Sequence, residues 1–259
     1  MKAIGVIPAR MGASRFPGKP LAPLLGMPMV GHCYHRTALA LGAEATYVAT
    51  CDQPIVDYVE SIGGQTVMTA TSHNRATTRT AEALERIETQ SGNQVDVVVM
   101  VQGDEPLIPP AAIAETLRHF EDSRVGIVNI MSALSTREAF VDPNNVKVVV
   151  NGNSDALYFS REPIPSPWKG WTHLPRFMQT GIIAFRRQAL LDFNAMDETP
   201  LEQIESVDMN RVLETGGHIR MVPIDTSTIG VDTHEELAEA ERRLRDDPAI
   251  KDYLSSWKK

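Results

Sequence analysis

Residues 95–108, VDVVVMVQGDEPLI, decide the fold. Five of the first seven positions are valine, with no alternation of polar and apolar residues. A β-branched run of this kind suits a strand buried on both faces, as in the middle of a parallel sheet. The segment Gln102-Gly103-Asp104-Glu105-Pro106 follows at once. It therefore sits at the carboxyl end of a central strand, where open α/β sheets collect their ligands.

The pattern upstream agrees. Short apolar or β-rich runs at 3–7, 45–50 and 65–68 alternate with helical patterns at 28–41, 53–62 and 77–88. Gly63 and Gly64 supply a helix stop. Residues 109–121 read as a helix with Pro early, where a missing N–H is tolerated. This alternation predicts a doubly wound, mostly parallel, Rossmann-like α/β sheet. Beyond residue 124 the strands at 125–134, 146–151, 156–160 and 181–185 lack long helices between most of them. A Pro-rich loop with Trp168 and Trp171 lies among them. Residues 200–215 read as a helix ended by Gly216 and Gly217, 221–224 as a strand, and 234–245 as a helix capped by Thr233. We expect a single domain, 1–259. Its core is formed by about 1–124 and 217–259, interrupted by a smaller mixed α/β region at about 125–216 that would carry an acceptor site or a dimer contact.

The second informative stretch is residues 7–21, IPARMGASRFPGKPL. It follows the first strand and combines Gly12, Ser14 and Gly18 with three cations, Arg10, Arg15 and Lys19. Glycines let backbone N–H groups approach a ligand, and the cations offset negative charge, which makes a phosphate cradle. A solvated surface loop is the alternative that the residues alone leave open. The spacing is neither a Walker loop, since Lys19 is followed by Pro20, nor the G-x-G-x-x-G dinucleotide fingerprint. A dehydrogenase reading is disfavoured accordingly.

Composition narrows the classes further. The 259 residues are 42% hydrophobic, enough for a sizeable core, and carry a net charge of −8. An acidic chain argues against a nucleic-acid partner. No apolar stretch approaches the ~18 residues that suggest a membrane span, and the N-terminus shows no signal-peptide pattern. Cys33 and Cys51 give no disulfide framework and are expected as core thiols in a cytoplasmic protein. His32 and His35 lack the further ligands that a zinc site would need.

Residues 7–21 closely resemble the opening strand and loop of the sugar-acid cytidylyltransferases, above all the 3-deoxy-manno-octulosonate (KDO) cytidylyltransferases. The match runs through Ile7, Pro8, Ala9, Arg10, Ser14, Arg15, Pro17, Gly18, Lys19, Pro20 and Leu21. It continues with VAT at 48–50, VQGDEPLI at 101–108, ALYFSR at 156–161 and IGVDT at 229–233. The resemblance implies a Mg²⁺-dependent transfer of CMP from CTP to an acidic acceptor, with release of pyrophosphate, in a homodimer of nucleotide-diphospho-sugar transferase-like fold. Asp104 and Asp232 would hold the metal, although a turn residue and a helix cap are what these positions suggest on their own. Lys19 and Arg10 join the two aspartates as the expected catalytic group. Pro8, Ala9, Arg10, Gly12, Ser14, Arg15, Lys19, Thr77 and Arg79 are the expected CTP contacts; Arg79 would otherwise read as an exposed helix residue.

On the acceptor side the sequence departs from the pattern. The family's S-G-T-[DE]-R reads Arg75-Ala76-Thr77-Thr78-Arg79; its His before a G-[IV]-Y strand is Gln179; its late E-Q pair is Asp208-Met209. Gln102 and Arg161 are kept, and either would suit a carboxylate. Arg75, Gln102, Arg161, Gln179 and Asp208 are thus the expected acceptor contacts. A KDO-like sugar acid is the expected acceptor. A different acid or a phosphonate is the alternative that the departures suggest, and a non-catalytic nucleotide-sugar binder a more distant one.

Overall fold

The structure, a computed structural model, describes residues 1–12, 16–171, 175–226 and 228–257. Two expected CTP contacts, Ser14 and Arg15, lie outside the described residues.

In chain order the first half comprises β1 (Ala3–Pro8), a single 3-10 turn at Lys19–Leu21, a hairpin of β2 (Pro23–Leu24) and β3 (Met27–Pro28), α1 (Met29–Leu41), β4 (Thr46–Thr50), α2 (Gln53–Ser61), β5 (Gln65–Met68), α3 (Ala76–Ser91), β6 (Val97–Val101) and α4 (Pro110–Arg118). The second half adds β7 (Ile127–Ala133), α5 (Arg137–Val141), β8 (Lys147–Val150), β9 (Ala156–Ser160), β10 (Phe177–Arg186), α6 (Arg187–Ala195), α7 (Pro200–Glu205), α8 (Met209–Glu214), β11 (Arg220–Ile224), α9 (His234–Asp246) and α10 (Lys251–Trp257).

The main sheet has the order β11-β7-β10-β6-β1-β4-β5. β1 pairs in parallel with β4 and β6, β4 with β5, and β11 with β7. β10 alone runs antiparallel, inserted between β6 and β7. The valine run behaves as expected: Val97, Val99 and Val101 join the core under α1, α2 and α4, while Val98 and Met100 join the core under α3 and α6. All five residues of β6 are at most 1% exposed. Helices thus cover both faces of a largely parallel sheet. No described helix is long and apolar enough to cross a membrane.

The second half is more integrated than expected. β7 and β10 belong to the main sheet, and only β8 and β9 extend from it, with β8 paired to β10. The expected helix at 200–215 is two helices, because Ser206 takes a left-handed conformation (φ 52°) and ends α7. α5 and α6 are additional helices; each is short and falls in a segment outside the expected strands, to which the sequence reading assigned no element. Cys33 is buried, but Cys51 is only half-buried. His32 is a core residue, hydrogen-bonded to Tyr253 Oη and the Leu24 carbonyl, both at 2.9 Å, and burial lowers its pKa to about 4. Arg176 stacks over Trp171, and Trp168 is 89% exposed.

One buried ion pair fixes the break between α7 and α8. Arg211 donates to both oxygens of Glu202 at 2.6 and 2.7 Å, and to the carbonyls of Met196 and Phe193. Glu202 is wholly enclosed. Removing one partner strands the other charge, so Glu202→Ala should cost about 3–5 kcal/mol in urea unfolding. Glu202→Leu combined with Arg211→Met should lose distinctly less.

Candidate active site

The site begins at the carboxyl end of β1. Ala9 N–H bonds Ala49 O at 2.9 Å, continuing the strand pairing, and Met11 N–H bonds Asp52 Oδ2 at 2.8 Å. The following loop closes at its neck, where Gly18 N–H reaches Met11 O at 3.1 Å. Gly18 has φ 75°, a left-handed conformation that a side chain would strain, and this turn starts the 3-10 helix that carries Lys19.

Lys19 is 9% exposed, and its ammonium meets two carboxylates: Asp104 Oδ2 at 2.8 Å and Asp232 Oδ1 at 2.8 Å. Burial alone would lower its pKa. The charges and hydrogen bonds of Asp104 and Asp232 more than offset this, and the pKa lies above its ordinary value. The ammonium is firmly charged.

Each aspartate is held by its own backbone. The Gly103 turn packs so tightly on β1 that an added Cβ would stand 3.0 Å from Pro8 O. Val231 N–H donates to Asp104 O at 2.8 Å, tying the two aspartate loops together. Beyond Asp232, Thr233 caps α9 in a reciprocal box with Glu236, whose carboxylate also accepts from Asp232 N–H at 2.7 Å. An apolar cluster of Phe16, Leu24, Leu107, Val231 and Leu244 packs the Lys19 turn, the Asp104 loop and α9 as one unit.

These loops floor a cleft of about 270 Å³ at the carboxyl ends of β1 and β6. Of the expected residues, Pro8, Ala9, Arg10, Lys19, Gln102, Asp104 and Asp232 line it. Arg75 and Arg79 line it too, from the start of α3. Arg79 is 3% exposed rather than a surface helix residue; its Nη1 reaches Thr69 Oγ1 and Ala70 O, and its Nη2 has no partner. His73 and Asn74, from a stretch whose polar side chains were candidates for reading the base, line the cleft as well, and so does Phe16, an apolar residue that the sequence reading passed over; neither Phe16 nor Asn74 was named singly. Neither carries a charge or motif position that would have marked it.

The sequence matches the cytidylyltransferase family model over residues 4–221. It is 39% identical over 255 residues to the 3-deoxy-manno-octulosonate cytidylyltransferase of Geobacter metallireducens, covering 94% of this chain and 98% of that one. The chain belongs to the cytidylyltransferase family. It is also 38% identical to the enzyme of the same name from Escherichia coli, over 90% of this chain and 92% of the relative. Among solved structures it resembles CMP:2-keto-3-deoxy-manno-octonic acid synthetase complexed with CTP, with a TM-score of 0.85 and 35% identity over 95% of this chain and 99% of that one.

Five expected contacts of this cytidylyltransferase do not line the cleft. Gly12 is exposed on the loop. Thr77 Oγ1 is turned to the Asp208 carboxylate, so these two residues satisfy each other instead of a ligand. Arg161 gives its Nε to Glu205 O and its Nη1 to Pro143 O, both at 2.8 Å, spending its fork on backbone carbonyls. Gln179 stands on β10 beside Val146, with its Oε1 enclosed and without a hydrogen-bond partner.

Glu105, expected at most to orient its neighbours, is buried behind Asp104. Its Oε1 accepts from Gly181 N–H on β10, and its Oε2 has no partner. Burial first, then the nearby Asp104 charge, push its pKa to about 8 against the opposing Gly181 hydrogen bond. The ordinary value is 4.5, so between these limits the folded chain keeps a proton that the unfolded chain has released. Stability contributed by this group therefore falls as pH rises from about 4.5 to about 8. Glu105→Gln should remove that dependence. In EDTA, its urea midpoint relative to the parent should shift toward greater stability at pH 8 compared with pH 5.

Proposed function

We propose that this cytidylyltransferase transfers CMP from CTP to a KDO-like 3-deoxy-octulosonic acid and releases pyrophosphate. The observation that carries this reading is the convergence of Lys19, Asp104 and Asp232 at one end of a cleft whose other charged walls are Arg10, Arg75 and Arg79. An acceptor hydroxyl attacks the α-phosphorus, and the bond to the pyrophosphate oxygen breaks. Lys19 and Arg10, with Arg15 beyond the described residues, offset charge on the leaving group. The backbone at Pro8–Ala9 forms the floor for the nucleotide, and Arg79 adds positive charge to the wall.

The donor set fits Mg²⁺. Asp104 and Asp232 each bring one oxygen to the Lys19 ammonium, and carboxylates gathered in this way are the hard oxygen donors that Mg²⁺ takes. Among the described residues no group of three or more His, Cys, Asp or Glu comes together, which leaves phosphate oxygens and water to complete an octahedral shell. When bound, the metal would polarise the phosphoryl oxygens and favour the acceptor alkoxide. Asp104 and Asp232 would hold it, with Lys19 fixing their orientation.

The direct test is CTP-dependent pyrophosphate release with KDO as acceptor and Mg²⁺ present. Asp104→Asn and Asp232→Asn should each lower kcat on the order of 10²–10³-fold, with circular dichroism unchanged and chelator abolishing the parent activity. Near-parental rates in both variants would refute the assignment.

We place the enzyme in the cytoplasm as a homodimer built through its second half, where Val141, Leu157, Trp168 and Ile204 expose apolar surface. Sedimentation at micromolar concentration should give twice the 28.5 kDa chain mass, and Trp168→Asp should shift it toward the monomer.

A further inference from the structure

Arg75 is the last residue before α3, with extended backbone (φ −110°, ψ 144°) and no capping hydrogen bond from its side chain. Its guanidinium is therefore free to leave the helix axis, and it lines the cleft with 28% of the side chain exposed. On the protein side it has two weak attachments. Nη1 donates to the neutral Ser206 Oγ at 3.3 Å, and Nη2 stands 3.9 Å from Glu202 Oε1. Both Glu202 oxygens are already bound by Arg211 at 2.6 and 2.7 Å. Asp208, whose carboxyl also feels the Arg75 charge, accepts from Thr77, so neither Glu202 nor Asp208 makes a close ion pair with Arg75. One helical turn on, Arg79 is 3% exposed and carries an unpartnered Nη2 at the same cleft. Two guanidinium groups at i and i+4 therefore lie along one cleft, Arg79 enclosed and Arg75 partly exposed.

The other cation expected to grip an acid is occupied: Arg161 is bound to the Glu205 and Pro143 carbonyls. The nucleotide end of the cleft is marked by Lys19, which is engaged by Asp104 and Asp232. Arg75 comes instead from the wall tied to the break between α7 and α8. Resting on the acid-acceptor reading above, we propose that Arg75 determines acceptor specificity by binding the carboxylate of the sugar acid. A guanidinium presents paired N–H donors that match a carboxylate, and a site built on that match discriminates against a neutral analogue that leaves the donors unmade.

The test is steady-state kinetics of the full-length enzyme with KDO and with its uncharged C1 amide. Turnover of KDO by the parent enzyme tests the acceptor reading itself; its absence would remove both that reading and this inference. Given turnover, Arg75→Ala should raise the KM for KDO roughly tenfold to a hundredfold and leave the KM for CTP unchanged. Its preference for the acid over the amide should fall toward one. Arg75→Lys, which keeps charge but loses the fork, should recover part of the loss and serves as the second variant should Arg75→Ala fail to fold. A rise confined to the KM for CTP, unchanged constants, or an acid–amide preference that survives in Arg75→Ala would overturn the assignment while leaving the transferase reading intact.

Discussion

The structure turns on one ammonium group held by two carboxylates from remote parts of the chain. Lys19 is 85 residues from Asp104 and 213 from Asp232. Three separate loops must arrive together for the contacts to form, and each is fixed before its side chain is counted. The Lys19 turn is set by a left-handed glycine, the Asp104 turn by its close approach to β1, and Asp232 by the capping box of α9. The apolar cluster beneath then holds all three loops against one another. The triad carries a net charge of −1, being one ammonium and two carboxylates. Removing such a group from water is unfavourable unless more positive charge is near. Lys19 supplies part of that positive charge and holds the two carboxylates together.

The antiparallel strand β10 has a second consequence for the site. Its pairing with β7 shifts register between Gln179 and Ile183, a bulge at the level of the Asp104 loop. Asn129 stitches that bulge by donating to the carbonyls of Ile130, Thr180 and Ile182. Gly181 N–H is thereby presented to Glu105, and Gln102 N–H reaches Gly181 O at 3.0 Å. Bulges beside functional loops re-aim backbone groups at the cost of local pairing. Here the bulge supports the chain on both sides of Asp104, so the aspartate is positioned from the second half of the protein as well as from the first.

Much of this was legible in the sequence, because it depends on periodicity and local chemistry. A valine run with no polar alternation meant two buried faces, and Val97 to Val101 have them. A carboxylate after such a strand meant a place at the sheet's carboxyl edge, and Asp104 lines the cleft there. What stayed hidden was set by tertiary pairing. Nothing in the spacing of Thr77 and Asp208, 131 residues apart, shows that they satisfy each other. Arg161 looks like an anion receptor in isolation, and only the fold reveals the two carbonyls that already engage its Nε and Nη1. The helix expected at 200–215 failed at Ser206, a residue with no strong turn signature, because the buried Glu202–Arg211 pair fixes a sharper reversal there. The second half seemed an excursion because antiparallel insertion of a strand leaves no mark on the strand's own pattern.

The cations of the molecule sort by what remains of their hydrogen-bonding capacity. Arg36 is spent on Asp247, Ile108 O and Tyr253, and Arg187 on both oxygens of Glu88. These hold the fold together. Around the cleft, by contrast, Arg10 makes one long contact with His73 O, and Arg75 and Arg79 retain donors. That separation matters because the whole chain carries a charge of −8 and repels an anionic substrate at long range. Screening confines this repulsion to roughly 8 Å at physiological ionic strength, so capture depends on what lies within the cleft. There the unspent cations outnumber the acids left over by Lys19. In an acidic chain, attraction for an anionic nucleotide therefore rests on cations gathered at one cleft.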